Sequence, residues 1–284
     1  MNGKSILFRD HPLDGEVTIS GEALSTPYHV MDGTMLLVGG TVEAKVASEL
    51  LAPADLVPVV DSQGRALAAI WICDFSKANL GPHHELQISL FAAPRPIEPV
   101  PASPYAVLRT LVTASPARMV CHGLWNSTER VVRYNREHLC LDAKISHSDI
   151  AIGKKRINFQ FPSEDGHLIA DGELSIGQRQ SIRTFWQIMR HIGFSNMFAS
   201  MRKPYLTVPV IGTGGPSSGP VVICQTHSFS EKQSIRRFGA EDRLTIRHPV
   251  YQRLGFQPEF VQHLQRIGFV FGRPAPWSDR NDPK

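Results

Sequence analysis

The chain has 284 residues, of which 42% are hydrophobic and 20% charged, enough apolar material for a real core and too little charge for a disordered chain. The formal net charge of +4 is mild and the densest basic run is the short Lys154-Lys155-Arg156, so nucleic acid is not an expected partner. No apolar run approaches the ~20 residues that span a bilayer, and MNGKSILFRDHPLDGE lacks a signal-peptide core, so no membrane partner and a cytoplasmic location are expected.

Residues 1–25 are polar and read as an irregular N-terminal arm. Met35 to Val38 is a short strand ending at Gly39-Gly40. Thr41 suits an N-cap, Val42, Val46 and Leu50 recur at helical spacing, and Pro53 stops the run, so 42–52 is predicted as a helix. Ala66 to Phe75 is nearly all apolar, as in a strand buried on both faces, and Leu86 to Ala92 alternates like a half-buried strand. Five prolines make 93–104 an extended loop. Val107 to Val112 reads as a strand and Val131 to Leu141 as a helix. Ile157 to Phe161 and Leu168 to Ile176 are strands separated by the turn Ser163-Glu164-Asp165-Gly166.

Ile182, Phe185, Trp186, Met189 and Ile192 then recur at helical spacing up to Gly193. That helix either packs on the sheet or, with the apolar Phe194, Met197, Phe198 and Met201 beyond it, covers a pocket. Leu206 to Ile211 and Val221 to Thr226 are strands joined by a glycine-rich loop without the GK[ST] of a phosphate site. Leu244 to Ile246 is a further strand, 257–266 is predicted as a short helix from Phe260 and Leu264, and a polar tail begins at Arg273. Short strands with few helices imply a mostly antiparallel β system. The cysteines Cys73, Cys121, Cys140 and Cys224 are far apart, form no CxxC and read as buried free thiols, and no metal is expected at Cys121-His122 or His83-His84.

Two stretches carry the candidate chemistry. In Gly81-Pro82-His83-His84-Glu85 a turn delivers two imidazoles and a carboxylate to the start of a strand. Glu85, running into apolar sequence, suits a general acid or base with a raised pKa, and His83 shares its face of the strand while His84 points to the other. The structural alternative is a salt-bridged strand end with surface histidines. The second stretch, Glu129 to Lys144, is a charged helix and a turn, in which Lys144 by itself is an ordinary exposed lysine.

Together these stretches resemble the acetoacetate decarboxylase family, in which a Gly-x-Tyr-x-Glu-type segment precedes an Arg-Glu helix and a Pro-Lys-Lys turn. Gly81 to Glu85 fits the first, with His83 in the aromatic position, and Glu129 to Lys144 fits the second without a gap. Thr26-Pro27-Tyr28, Leu36-Leu37-Val38, the helix 42–52, Pro204 to Thr226 and 242–272 extend the likeness over the whole chain. The resemblance implies an α+β, mostly antiparallel β fold, a closed or partly closed β cone or barrel with peripheral helices, in one domain over 26–272. Residues 176–203 form a helical insertion within it and 273–284 a tail.

It also implies a lyase-type enzyme acting on a small-molecule keto or carboxylate substrate by decarboxylation, aldol or retro-aldol addition, dehydration or cyclisation. No cofactor is implied, and a homo-oligomer is. Two positions depart from the pattern: the family's Schiff-base lysine falls on Ala143, with only Lys144 retained beside it, and its arginine falls on Gly33. The candidate catalytic residues are therefore Glu85, Lys144 and His83, by imine formation on Lys144 or acid–base chemistry at Glu85. His84, Arg136, Phe185 and Trp186 are candidate substrate contacts. The alternative is a non-catalytic small-molecule-binding protein on the same fold.

Overall fold

Strands dominate because the apolar residues recur with period two through most of the chain. The computed structural model describes residues 3–113, 115–176, 182–193, 203–214 and 221–277, apart from the side chains of 182–185. Helix α1 (Gly3–Asp10) precedes a hairpin of β1 (Gly15–Ile19) and β2 (Glu22–Thr26). Then come β3 (Tyr28–Val42), α2 (Ala44–Leu51), β4 (Val57–Pro58), β5 (Ala66–Ala78) and β6 (His83–Ala93). The middle of the chain holds α3 (Ala106–Val112), β7 (Arg118–Asn126), α4 (Glu129–Glu137), β8 (Ala143–Ile145), β9 (Asp149–Ile152), β10 (Arg156–Pro162), β11 (Leu168–Ser175) and α5 (Ile182–Ile192). The last part holds β12 (Leu206–Gly212), β13 (Val222–Arg237), β14 (Arg243–Ile246), α6 (Pro249–Gln252), β15 (Gln257–Phe271) and β16 (Ala275–Pro276).

Seven strands close into a mixed barrel in the order β6, β5, β3, β15, β13, β12, β7 and back to β6. Every neighbour is antiparallel except β12 with β7. The free edge of β7 is shared: Met119 to Cys121 pair with β12, and Leu124 to Asn126 pair in parallel with β8. A separate antiparallel sheet, β14-β11-β10-β9, covers part of the outside. The expected mostly antiparallel, closed β architecture with peripheral helices is what the chain adopts.

Two apolar layers follow from strand alternation. On β5, Leu67, Ala69, Cys73 and Phe75 belong to the inner cluster, while Ala66, Ala68, Ile70 and Ile72 belong to the outer one. The outer cluster is completed by Ile157, Phe159 and Phe161 of β10, whose intervening residues face solvent. A strand coated on both faces has no polar side, which is why this one reads as a continuous apolar run.

Four expectations change. Val107 to Val112 is helical, since Val107, Leu108 and Leu111 on adjoining turns all reach the inner cluster. Residues 257–266 are strand: Phe260, Gln262 and Leu264 share one face, and the inward glutamine hides the period-two pattern. The arm is ordered as α1 and a hairpin, with Leu7 fully buried against β13 and β15. The strand at Met35 to Val38 is part of the fifteen-residue β3, because Gly39 and Gly40 continue it: a Cβ at either would come 2.1 Å from Phe260 or the Gln257 carbonyl oxygen.

Candidate active site

A cavity of about 340 Å³ occupies the barrel interior. Its wall is mostly apolar, with Met35, Cys73, Phe75 and Met119 from the strands and Leu108, Leu111, Ile188 and Ile192 from α3 and α5. It reaches the surface where the exposed Lys203, Pro204 and Gln233 line it.

Glu85 is the acid in this wall. It lies in the register row Asn126, Glu85, Cys73, Met35, Leu264, Gln233 that runs around the barrel. The next row inward-facing on the same strands is Leu124, Gln87, Trp71, Leu37, Gln262, Ile235. Glu85 keeps some accessible surface because it lines the cavity, yet protein surrounds it deeply enough to desolvate it. That desolvation pushes its carboxyl from the ordinary 4.5 up to about 7, opposed by one hydrogen bond from Asn126.

Asn126 Nδ2 donates to Glu85 Oε2 at 2.9 Å, and Asn135 Nδ2 donates to Asn126 Oδ1 at 2.9 Å. Both asparagines are buried, at 0% and 3% exposure. The chain of amides therefore runs from helix α4 through β7 to the carboxyl and fixes its plane. Sequence reasoning missed Asn126 and Asn135, because nothing local marks two asparagines nine positions apart as partners. Gln87 was missed too, although a signal for it exists: it stands two residues after Glu85 and must share its face.

His83 is buried beside Glu85 but is fully engaged. Its Nδ1 lies 3.0 Å from the Gly81 carbonyl, so it carries the proton there, and its Nε2 accepts from the Tyr28 hydroxyl at 2.9 Å. Burial lowers the imidazole to about 4, so the ring is neutral. Burial and the Glu85 charge push the Tyr28 hydroxyl well above its usual range, and the same two causes act on the Cys73 thiol.

The remaining sequence candidates lie elsewhere. His84 faces away from the barrel interior, with Nδ1 3.1 Å from Ser148 Oγ and Nε2 3.8 Å from Asp74. Lys144 does not reach the cavity: it pairs with Asp142 at 2.8 Å, with its side chain 40% exposed, and sits 5.7 Å over the Trp125 ring. It lines a separate outer pocket together with Arg136, whose Nε donates to the Ala143 carbonyl. Ala143, fully buried, belongs to the inner cluster. The expected convergence of Lys144 and Glu85 is thus not present, because a one-residue offset in β8 turns the side chain to the opposite face. Trp186 is 56% exposed on α5, while Ile188, Met189 and Ile192 form the buried face of that helix. The Phe185 side chain, together with Phe194, Met197, Phe198 and Met201, lies outside the described residues.

Gly33, at the expected arginine position, sits in an irregular stretch of β3. A Cβ there would come 2.5 Å from the Asp74 carbonyl oxygen and 3.0 Å from the Phe75 Cα. Lys203 is the one cation among the described cavity-lining residues. Among the described residues, no group of three or more His, Cys, Asp and Glu is arranged to hold a metal, and no helix is long and apolar enough to cross a membrane.

Comparison of the sequence with protein-family models and with curated proteins gives no match. Solved structures do match. Acetoacetate decarboxylase from Legionella pneumophila subsp. pneumophila str. Philadelphia 1 aligns with a TM-score of 0.58 at 9% identity, covering 89% of this chain and 88% of that one. A second acetoacetate decarboxylase structure gives 0.56 at 9% identity, covering 90% and 91%. The enduracididine biosynthesis enzyme MppR, complexed with pyruvate, gives 0.55 at 13% identity, covering 90% and 92%. The chain has the acetoacetate decarboxylase-like fold. The fold that the motif resemblance implies is the fold the chain adopts.

Proposed function

We propose that this protein is a lyase-type enzyme that acts on a small-molecule keto compound through an enol or enolate, with Glu85 as the acid–base group. One observation carries the reading: the single carboxyl among the described residues of an apolar cavity, oriented by Asn126 and with its pKa raised to about 7. A base poised near the working pH takes a proton α to a carbonyl and can return it. In a β-hydroxy ketone, Glu85 removes the α-proton, the C–O bond to the β-hydroxyl breaks, and the same proton leaves with hydroxide as water. A retro-aldol step needs the same group: Glu85 takes the hydroxyl proton, the C–C bond breaks, and the enolate carbon is protonated in turn.

Gln87 Nε2 donates to Ser89 Oγ at 2.6 Å, leaving its second hydrogen to meet a developing enolate oxygen. His83 in this reading holds Tyr28 in place and does not exchange protons itself. The imine route through Lys144 has no geometric support, since that amine is on the outer face in an ion pair.

The test is hydrogen–deuterium exchange at the α-carbon of a panel of methyl ketones in D2O, followed by NMR. Exchange catalysed by the wild-type chain and lost in Glu85→Gln supports the reading. Ligand binding without exchange in either form points to a binding protein on this fold and refutes it.

A further inference from the structure

Resting on that reading of Glu85, we propose that the cavity is built for uncharged keto compounds with an apolar body and excludes keto carboxylates. The relevant contrast is in the charges. A carboxylate ligand needs a cation or a cluster of donors within the cavity. Among the described lining residues the only cation is Lys203, which is exposed where the cavity meets the surface. The deep charge is Glu85, of the wrong sign. Where an arginine is expected from the family likeness stands Gly33, with the Asp74 backbone packed against its Cα.

The other polar groups in the wall are neutral. Gln262, on β15, donates through Nε2 to Gln233 Oε1 at 3.0 Å, across from β6 in the ring of strands. However the two amides are turned as a pair, one amide oxygen and one NH2 group remain for a ligand. Thr226 uses its hydroxyl on the Val208 carbonyl at 2.8 Å. A carbonyl oxygen at Gln87 with its α-carbon turned to Glu85, an apolar middle along Met35, Leu264 and Ile188, and a neutral hydroxyl or carbonyl at Gln233–Gln262 match this wall.

Carboxylate binding would require Glu85 to keep its proton. The groups facing Glu85 do not change charge near neutrality. Tyr28 from β3, Cys73 from β5 and Cys121 from β7 are all pushed up by burial and by Glu85 itself, and His83 is lowered to about 4. Anion affinity should therefore follow the protonation of Glu85 alone, and ketone affinity should be indifferent to it.

The experiment is equilibrium dialysis of the full chain with 2-acetonaphthone and with 2-naphthoate, flat probes that differ chiefly in charge. At about pH 8.5 the ketone is expected to bind at least about tenfold more tightly, from like-charge repulsion in a desolvated site. Lowering to about pH 6 should raise naphthoate affinity and leave ketone affinity unchanged, as Glu85 takes up its proton. In Glu85→Gln neither probe's affinity should depend on pH, and the ketone should still bind more tightly than naphthoate; if that variant does not fold, the wild-type pH series decides alone. Naphthoate binding as tightly as the ketone at the alkaline pH overturns the proposal, as does failure of the ketone to bind. A bound ketone that does not exchange its α-hydrogens would sink the acid–base reading and leave this one standing. Exchange on a tightly bound carboxylate would do the reverse.

Discussion

Ala143 and Lys144 are adjacent, and their side chains leave opposite faces of one short strand. Ala143 pairs with Leu124 and packs in the barrel's inner cluster; Lys144 pairs with Trp125 and lies over its ring outside. A motif read without gaps puts an amine within one residue of the nucleophile position, and one residue is the whole difference between inside and outside.

Replacing this lysine should consequently matter little. Lys144→Ala removes a partly exposed ion pair worth ~0–1 kcal/mol. Thermal unfolding should shift by a few degrees at most, about what that energy gives in a chain this long. Borohydride treatment with a keto acid should leave no adduct at position 144, and an adduct found there by mass mapping would restore the imine route.

Glu85 should cost stability where it is charged. Its folded pKa, about 7, lies above the ordinary 4.5, so between those values the folded state holds the proton more tightly. Stability contributed by the neutral carboxyl is full below pH ~4.5 and is lost as the pH rises through ~7. Glu85→Gln is expected to match wild type in acid and to exceed it by roughly 1–3 kcal/mol at about pH 8, the lower figure allowing for solvent screening of a partly accessible group. Urea titrations at the two pH values check this, and equal stabilities at the higher pH would show that Glu85 is not desolvated.

Asn126 should act on both stability and the pH profile. Asn126→Ala strands Glu85 Oε2 and the Asn135 amide, at a cost of roughly 1–3 kcal/mol. Because its hydrogen bond favours the charged carboxylate, removing it should move the midpoint of α-hydrogen exchange to higher pH. A merely structural role would lower the rate or stability and leave that midpoint in place.

Gly33 should tolerate no side chain. Gly33→Ala drives a Cβ against the Asp74 carbonyl and should destabilise by roughly 1–3 kcal/mol, as overpacking does. Denaturant midpoints report the effect. A neutral result would mean that β3 can shift there, and that an arginine could be accommodated.

Much of the architecture was legible because periodicity and punctuation are local. The strand character of β5 and β6 follows from residues that each strand carries itself, although β6, read as half-buried, is covered on both faces because Gln87 and Ser89 point into the closed barrel. Where reading failed, a distant partner had changed the meaning of a residue. Residues 257–266 read as a helix from Phe260 and Leu264 because the cavity that makes Gln262 an inward residue is built by other strands. Val107 to Val112 looked like a strand because nothing nearby reveals the barrel interior that those side chains fill. Glu85 was marked by an acid at the start of an apolar strand, whereas Asn126 became its partner only through the pairing of β6 with β7.

The residues alone pointed to a β-rich fold of the acetoacetate decarboxylase type and to Glu85 and Lys144 as candidates, because strand period and motif order are properties of the linear chain. Which side of the sheet each of these groups faces, and hence that Glu85 stands in the cavity while Lys144 stands outside it, was set by closure of the barrel. Closure fixes register between strands far apart in the chain, and register decides inside from outside.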